Sequence, residues 1–174
     1  MGHVVKVVLR FREPFWKDIV VPGENNASAD LIDFTFIHAP GESLPTWWTQ
    51  FPADSPVLAG WAGGPRAEKL SLQSDDSLLD HSLRSLSRIF QTPKSFIGVF
   101  LESFYTHNWH RDALSAGAYT YIPIGGNDAQ AELAKAVEDT LFFAGEATNT
   151  EGHHGTVHGA IASGLRAARE LLIQ

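Results

Sequence analysis

With 174 residues, 44% of them hydrophobic and 19% charged, the chain has the composition of one ordinary folded domain and not of a disordered segment. A formal net charge of -7 argues against a nucleic-acid partner, because neutralising phosphates takes a basic face. No cysteine is present, which excludes disulfides, thiol chemistry and cysteine metal sites. No apolar run approaches the ~20 residues of a membrane helix, so no membrane partner is expected. The residues after Met1 show no basic-then-apolar leader, and the expected location is cytoplasmic.

In chain order, residues Val4 to Phe11 alternate with Val5, Val7, Leu9 and Phe11 on one face, which predicts a strand. Pro22 to Asp30 reads as a loop, Leu31 to His38 as a second strand, and Pro40 to Ser55 as an aromatic-rich loop with Trp47, Trp48 and Phe51. Pro56 to Trp61 is a short apolar run ended by Gly63-Gly64-Pro65. Arg66 to Leu72 predicts a short helix. Asp76 to Phe90 predicts a longer one, with Leu79, Leu83, Leu86 and Phe90 at helical spacing and Ser74 or Asp75 as its cap. Ser95 to Tyr105 reads as a strand, Gly117 to Pro123 as extended, and Ala129 to Val137 as a modest helix.

Leu141 to Ala144 is a wholly apolar strand candidate of the kind buried on both faces. The last helix, Thr156 to Leu172, carries an apolar stripe of Val157, Ile161, Leu165, Ala168 and Leu172. Gly155, Gly159 and Ser163 lie four apart on another face, where a neighbour can approach the backbone closely. A buried strand, a Gly145-Glu146 turn and a helix start make a site for a polar or anionic group, since the first amides of a helix are unpaired and its dipole is positive there. Plain connecting structure accounts for the same spacing. Read alone, Lys6 fits the solvent face of a strand, Tyr119 and Trp109 fit core packing, and Glu146 fits an exposed turn.

The segment L-F-F-A-G-E-A-T-N, followed by G-T-V-H-G-A-I-A-S-G-L-R-A-A-R-E-L-L, resembles the C-terminal signature of the flavin-containing amine oxidases, nearest the polyamine oxidase and lysine-specific histone demethylase branch. Lys6-Val7-Val8-Leu9 with Pro14-Phe15-Trp16 resembles the family's K-V-x-L-x-F-x-x-P-F-W strand. Gly60 to Gly64 loosely resembles its A-G-x-x-A region, and Trp109 to Pro123 its W-x-x-D-P-x-S-x-G-x-Y-S-Y-x-P motif. The match runs from about Lys6 to Leu172.

The resemblance implies an α+β fold. Residues 1–138 would form a substrate-domain-like portion, with a mixed, largely antiparallel sheet and helices on one face. Residues 139–174 would form the C-terminal strand and helix of an FAD-binding domain. It implies oxidation of an amine to an imine with oxygen as acceptor. Lys6 matches the lysine that holds a water near the flavin, Tyr119 the aromatic in front of it, and Trp109 a tryptophan near the active site. Gly145, Glu146, Thr148, Thr156 and Val157 match the cofactor-binding turn and helix start, and threonine at 156 agrees with the polyamine and demethylase branch. Ala118 stands where some monoamine oxidases attach flavin through cysteine, so FAD would be held noncovalently. His153-His154 replaces an aromatic-proline pair and Ala113 a proline, which leaves the amine open.

No two of the 15 glycines have a single residue between them, so G-x-G-x-x-G is absent. The family's N-terminal dinucleotide-binding part is therefore expected to be missing, as in an isolated domain, a truncated gene product or one half of a split enzyme whose partner chain carries that part, and FAD to bind weakly or not at all. Uncovered apolar faces on Leu141–Ala144 and the last helix would make the chain a homo-oligomer. A non-catalytic interaction or structural module that keeps the fold without cofactor is the alternative. His154 and His158, with His153 or Glu151, have a helical metal spacing but no defined third ligand, and no metal site is expected. No G-x-S-x-G supports nucleophilic hydrolysis.

Overall fold

In a computed structural model, residues 1–22, 28–126 and 128–173 are described. The chain divides into two compact units, His3–Ser115 and Ala116–Gln174, the latter joined by Met1–Gly2. No helix among the described residues is long and apolar enough to cross a membrane.

The first unit is built around strand β1, Val4–Phe11, which matches the predicted strand residue for residue. Val7, Leu9 and Phe11 are completely buried, while Lys6 and Arg10 on the alternate face are exposed. β1 pairs antiparallel with β6, Val57–Gly63, on one side and with β7, Leu101–Thr106, on the other. β5, Thr46–Trp48, and β4, Phe36–His38, extend the sheet to the order β4-β5-β6-β1-β7. Every pairing is antiparallel. β2, Val20–Pro22, and β3, Ser28–Asp30, form a separate two-stranded ribbon where a loop was expected, and residues 23–27 lie outside the described residues.

Three helices supply the other side of the core: α1, Gly64–Leu70; α2, Asp75–Ile89; and α3, Lys94–Phe100. Ala67, Leu70, Leu78, Leu86 and Ile97 are buried in one cluster with the inward residues of β1. Ser74 caps α2, its hydroxyl accepting from the Ser77 amide at 3.3 Å. The strand expected over Ser95 to Tyr105 is a helix as far as Phe100 and a strand only beyond it. Phe96, Ile97 and Phe100 suit a helical period as well as a strand. The Phe100 ring stacks on Phe15 at 5.3 Å, and Ile97 is fully buried. Packing decides where the pattern is ambiguous. Only Phe36–His38 of the expected second strand pairs, while Leu31 turns into the core.

Trp47 shows why β6 carries Gly60. The two residues lie opposite each other, and a Cβ at Gly60 would come within 2.7 Å of the Trp47 ring. Trp47 is fully buried, and its indole N–H donates to the Leu44 carbonyl at 2.9 Å. The ring cannot give way.

Beyond β7 a polar turn ends the unit. One Asp112 carboxylate oxygen accepts from the Leu114 and Ser115 amides at 3.0 and 2.9 Å, and the other lies 3.1 Å from His107 Nε2. The Ser115 and Leu114 amides, and then His107, hold the Asp112 carboxyl below its ordinary value.

In the second unit the predicted extended piece Gly117 to Pro123 forms no ladder. It is pinned instead by two backbone bonds with Gly2. α4 covers Ala129–Ala134, shorter than expected. Leu141 makes one isolated bridge, to Val137, and Leu141 and Phe143 remain exposed. The strand expected to be buried on both faces thus has no ladder among the described residues. α5, Val157–Leu172, begins at Thr156 as expected, but its buried residues are Gly159, Ser163 and Ala167. The apolar stripe of Val157, Ile161, Leu165 and Leu172 faces outward.

Gly60→Ala will lower the denaturant midpoint of the protein, costing about 1–3 kcal/mol of overpacking against Trp47, as equilibrium unfolding measures. A folded-state carboxyl pKa below the unfolded value stabilises above the ordinary carboxylate range and loses that contribution as pH falls through the folded value. The Asp112 turn will therefore persist at pH 5 and loosen only below the ordinary value of 3.8, seen as movement of the Leu114 and Ser115 amide resonances in an NMR titration.

Candidate functional site

On the outer face of the first unit's sheet, β1 presents Lys6. Its direct partner on β6 is Trp61, which in turn lies opposite Thr46 on β5. Directly opposite residues of antiparallel strands share a face. The Lys6 ammonium sits over the Trp48 ring, 5.5 Å from its centroid, close enough for a cation–π attraction. Phe36 lies opposite Trp48, with ring centroids 5.9 Å apart, and is 65% exposed. His38 Nδ1 lies 3.0 Å from the Thr46 hydroxyl. The Lys6 carbonyl accepts from the Thr106 hydroxyl at 3.1 Å, which ties this position to β7.

An open face of indole and phenyl rings around one ammonium is chemically specific. The rings favour a cation stripped of part of its water, and the ammonium can hold a water molecule or another acceptor oxygen. Trp48 and Trp61 were not expected from the sequence as site residues. The alternation Thr46-Trp47-Trp48, with Trp47 inward, was the available signal. Trp109 stands on the same unit, 43% exposed, its ring 4.4 Å from His107.

The other expected site residues belong to the second unit, and several come together there. Glu146 lies in a 3-10 turn, Glu146–Thr148. One carboxylate oxygen accepts from the Thr120 amide at 2.9 Å, and the other from the Gly155 amide at 2.5 Å. Glu146 therefore joins the Tyr119–Thr120 segment to the loop before α5. Tyr119 is exposed, and its ring lies 3.7 Å from where a Gly155 Cβ would stand. Thr156 caps α5: its hydroxyl accepts from the Gly159 amide at 3.1 Å and donates to the His153 carbonyl at 2.5 Å. The amides of Val157 and His158, at the first positions of the helix, have no intrahelical acceptor. Val157 is 78% exposed, so this end of the helix is open.

Two residues that the sequence did not single out as site residues fix this turn. Ser163, buried on α5, accepts from the Gly145 amide at 2.9 Å, and its hydroxyl lies 2.9 Å from the Gly145 carbonyl and 2.8 Å from that of Ala160. Gly145 itself has a φ of 136°, which penalises any side chain. Thr148, also buried, donates to the Gly145 carbonyl at 2.9 Å. Arg166 donates to the carbonyls of Ala134 and Phe143, both at 2.8 Å, and to the Thr148 hydroxyl at 3.3 Å. It also pairs with Glu170 at 3.1 Å. Such partners are distant in sequence, and no local pattern announces them.

The small face of α5 is closely approached, as its spacing implied. A Cβ on Gly159 would lie 2.0 Å from the His153 carbonyl oxygen. Of the histidines here, His153 and His158 pair at 4.7 Å between centroids, and His154 Nδ1 is buried without a hydrogen-bond partner. Among the described residues no group of three His, Cys, Asp or Glu side chains could hold a metal ion.

Comparison with known proteins identifies the family. The family model described as "Flavin containing amine oxidoreductase" matches residues 1–172. The chain is 34% identical over 174 residues to lysine-specific histone demethylase 1 homolog 2 of Arabidopsis thaliana, covering 98% of this chain and 22% of that protein. It is 29% identical over 171 residues to polyamine oxidase 3 of Oryza sativa subsp. japonica, covering 98% of this chain and 32% of the relative. A putrescine oxidase solved with putrescine superimposes with a TM-score of 0.75 at 21% identity, over 100% of this chain and 36% of that one, which shows the fold. The chain thus spans a third or less of these curated relatives, and it belongs to the flavin-containing amine oxidoreductase family.

Proposed function

We propose that the chain forms the substrate face and the C-terminal flavin-contacting turn of an FAD-dependent enzyme that oxidises an amine to an imine, with oxygen as acceptor. The observation that carries this reading is Lys6 standing among Trp48, Trp61 and Phe36 on an open sheet face. Aromatic faces receive the cationic amine and strip its water, while the Lys6 ammonium holds a water beside the reacting carbon. Trp109, exposed on the same unit, would add a further aromatic wall. Relatives are named a polyamine oxidase and a lysine-specific histone demethylase, and an amine is the class proposed here.

The residues at the start of α5 fit a flavin. Free first-turn amides, the positive end of a 16-residue helix and the unpartnered buried Nδ1 of His154 together suit an electron-rich acceptor edge. Val157 and Thr156 would face it, while Gly145, Glu146 and Thr148 keep the adjoining turn in place. When bound, FAD supplies the acceptance of a hydride equivalent and its transfer to oxygen. With no cysteine in the chain, the group would be held noncovalently. No G-x-G-x-x-G is present to hold the adenosine diphosphate end. We therefore propose that a dinucleotide-binding half, on the same polypeptide or on a partner chain, completes the enzyme, and that residues 1–174 alone bind FAD weakly and are inactive. The proposed setting is cytoplasmic.

The exposed stripe Val157, Ile161, Leu165 and Leu172 on α5 is continuous over four turns, and apolar faces of this kind associate. The proposed state of the chain by itself is a homo-oligomer.

Supplied with a dinucleotide-binding half and FAD, the protein will release peroxide from an amine, and Lys6→Met will slow turnover by about a hundredfold while leaving flavin absorbance unchanged. Full activity in Lys6→Met would remove the assigned role of Lys6. Failure of the completed protein to bind FAD would favour a non-catalytic module. Size-exclusion chromatography with light scattering will give a mass above that of one chain, and Leu165→Glu will return it to a monomer; a monomer at the outset contradicts self-association.

A further inference from the structure

We propose that a basic groove on the first unit, bounded by the turn at Gly41–Ser43, helix α1 and helix α2, binds a small anion carrying two or more phosphate or carboxylate groups. The groove has a volume of about 510 Å³, and its lining includes Arg66, Lys69, Gln73, Ser43 and His81. Arg66, Lys69 and Gln73 are three and four residues apart. That spacing points successive side chains the same way while the helix lasts, to Leu70. Leu70 is buried and forms part of the floor.

The charges are arranged for an incoming anion. Arg66 donates one nitrogen to the Pro40 carbonyl at 2.9 Å, which holds the guanidinium at the rim with its remaining N–H groups available. Lys69 has no ion-pair or hydrogen-bond partner among the described residues. His81 Nδ1 lies 3.3 Å from the Ser43 hydroxyl, leaving Nε2 for another partner. The single carboxylate in the lining, Glu42, is already paired with Arg88 at 2.9 Å, and Arg88 is not itself part of the lining. Arg66 and Lys69 are thus uncompensated in a protein whose formal net charge is -7.

The same sign of charge separates this groove from the amine reaction, because a cationic substrate would be repelled here. The volume exceeds what one phosphate fills and lies within the usual range of small-molecule sites. A planar guanidinium beside a point-charged ammonium recognises phosphate and carboxylate alike. The proposal does not depend on flavin binding.

Calorimetric titration of the full chain at low salt, with pyrophosphate in one arm and citrate in the other, tests it. Saturable one-to-one binding in either arm is expected, and the tighter arm assigns the group. Arg66→Ala and Lys69→Ala should each weaken binding about tenfold, as loss of one charge-assisted hydrogen bond does. Arg10→Ala, an exposed arginine on the sheet face away from the core, should leave affinity unchanged. Thermal unfolding of each variant confirms that it is folded. No saturable binding at millimolar anion in either arm would overturn the proposal. So would equal weakening by Arg10→Ala, which marks diffuse attraction.

Discussion

The register of β1 between β6 and β7 is the constraint on which both the core and the candidate site depend. Along this strand Val5, Val7, Leu9 and Phe11 point into the helices, and Lys6 and Arg10 point away. Side chains alternate with a period of two, so a slip of one residue would place the Lys6 ammonium among Leu86, Ile97 and Phe90 and expose four apolar side chains. Burying an unpaired ammonium costs several kcal/mol. The hydrophobic core therefore does more than hold the sheet together. It decides which face Lys6 occupies, and pairing with β6 and β5 then brings Trp61 and Trp48 beside it.

The second unit is held differently. Few large apolar side chains are buried there, and the turn before α5 rests on polar bonds. Glu146 braces two backbone amides, Ser163 grips both ends of Gly145, and Asn149 accepts from the Glu151 and His153 amides at 3.0 and 2.9 Å. Thr148, Asn149 and Ser163 are among the buried polar residues. Buried polar groups that are fully partnered fix one geometry, because any rearrangement strands a donor or acceptor. The open helix start at Thr156 and Val157 is thus held in place by a frame that leaves its own amides unused.

Much of this was legible in the sequence where one period dominated. The strand Val4–Phe11 alternated cleanly, and α2 and α5 had both a stripe and a cap. The segment from Phe96 to Leu101 fitted two periods, and contact with Phe15 settled it. The stripe on α5 was read correctly as apolar. It is the small face that turns inward, because only Gly159 lets the His153 carbonyl come so close. In the site, the exposed position of Lys6 followed from alternation alone. Trp48 and Trp61 did not, since Thr46–Trp48 lay in a stretch dominated by turn residues. Ser163 and Arg166 act on partners 18 to 32 residues away, and no local rule reaches that far.

Arg166 has one more consequence. Its guanidinium spreads its donors over the carbonyls of Ala134 and Phe143, tying two separate stretches of chain to one side chain. The middle of α5 is therefore moored to segments that precede the Gly145 turn, with the Glu170 contact lying one turn further along the helix. The helix is anchored along one flank while its opposite flank stays open to whatever comes to cover it.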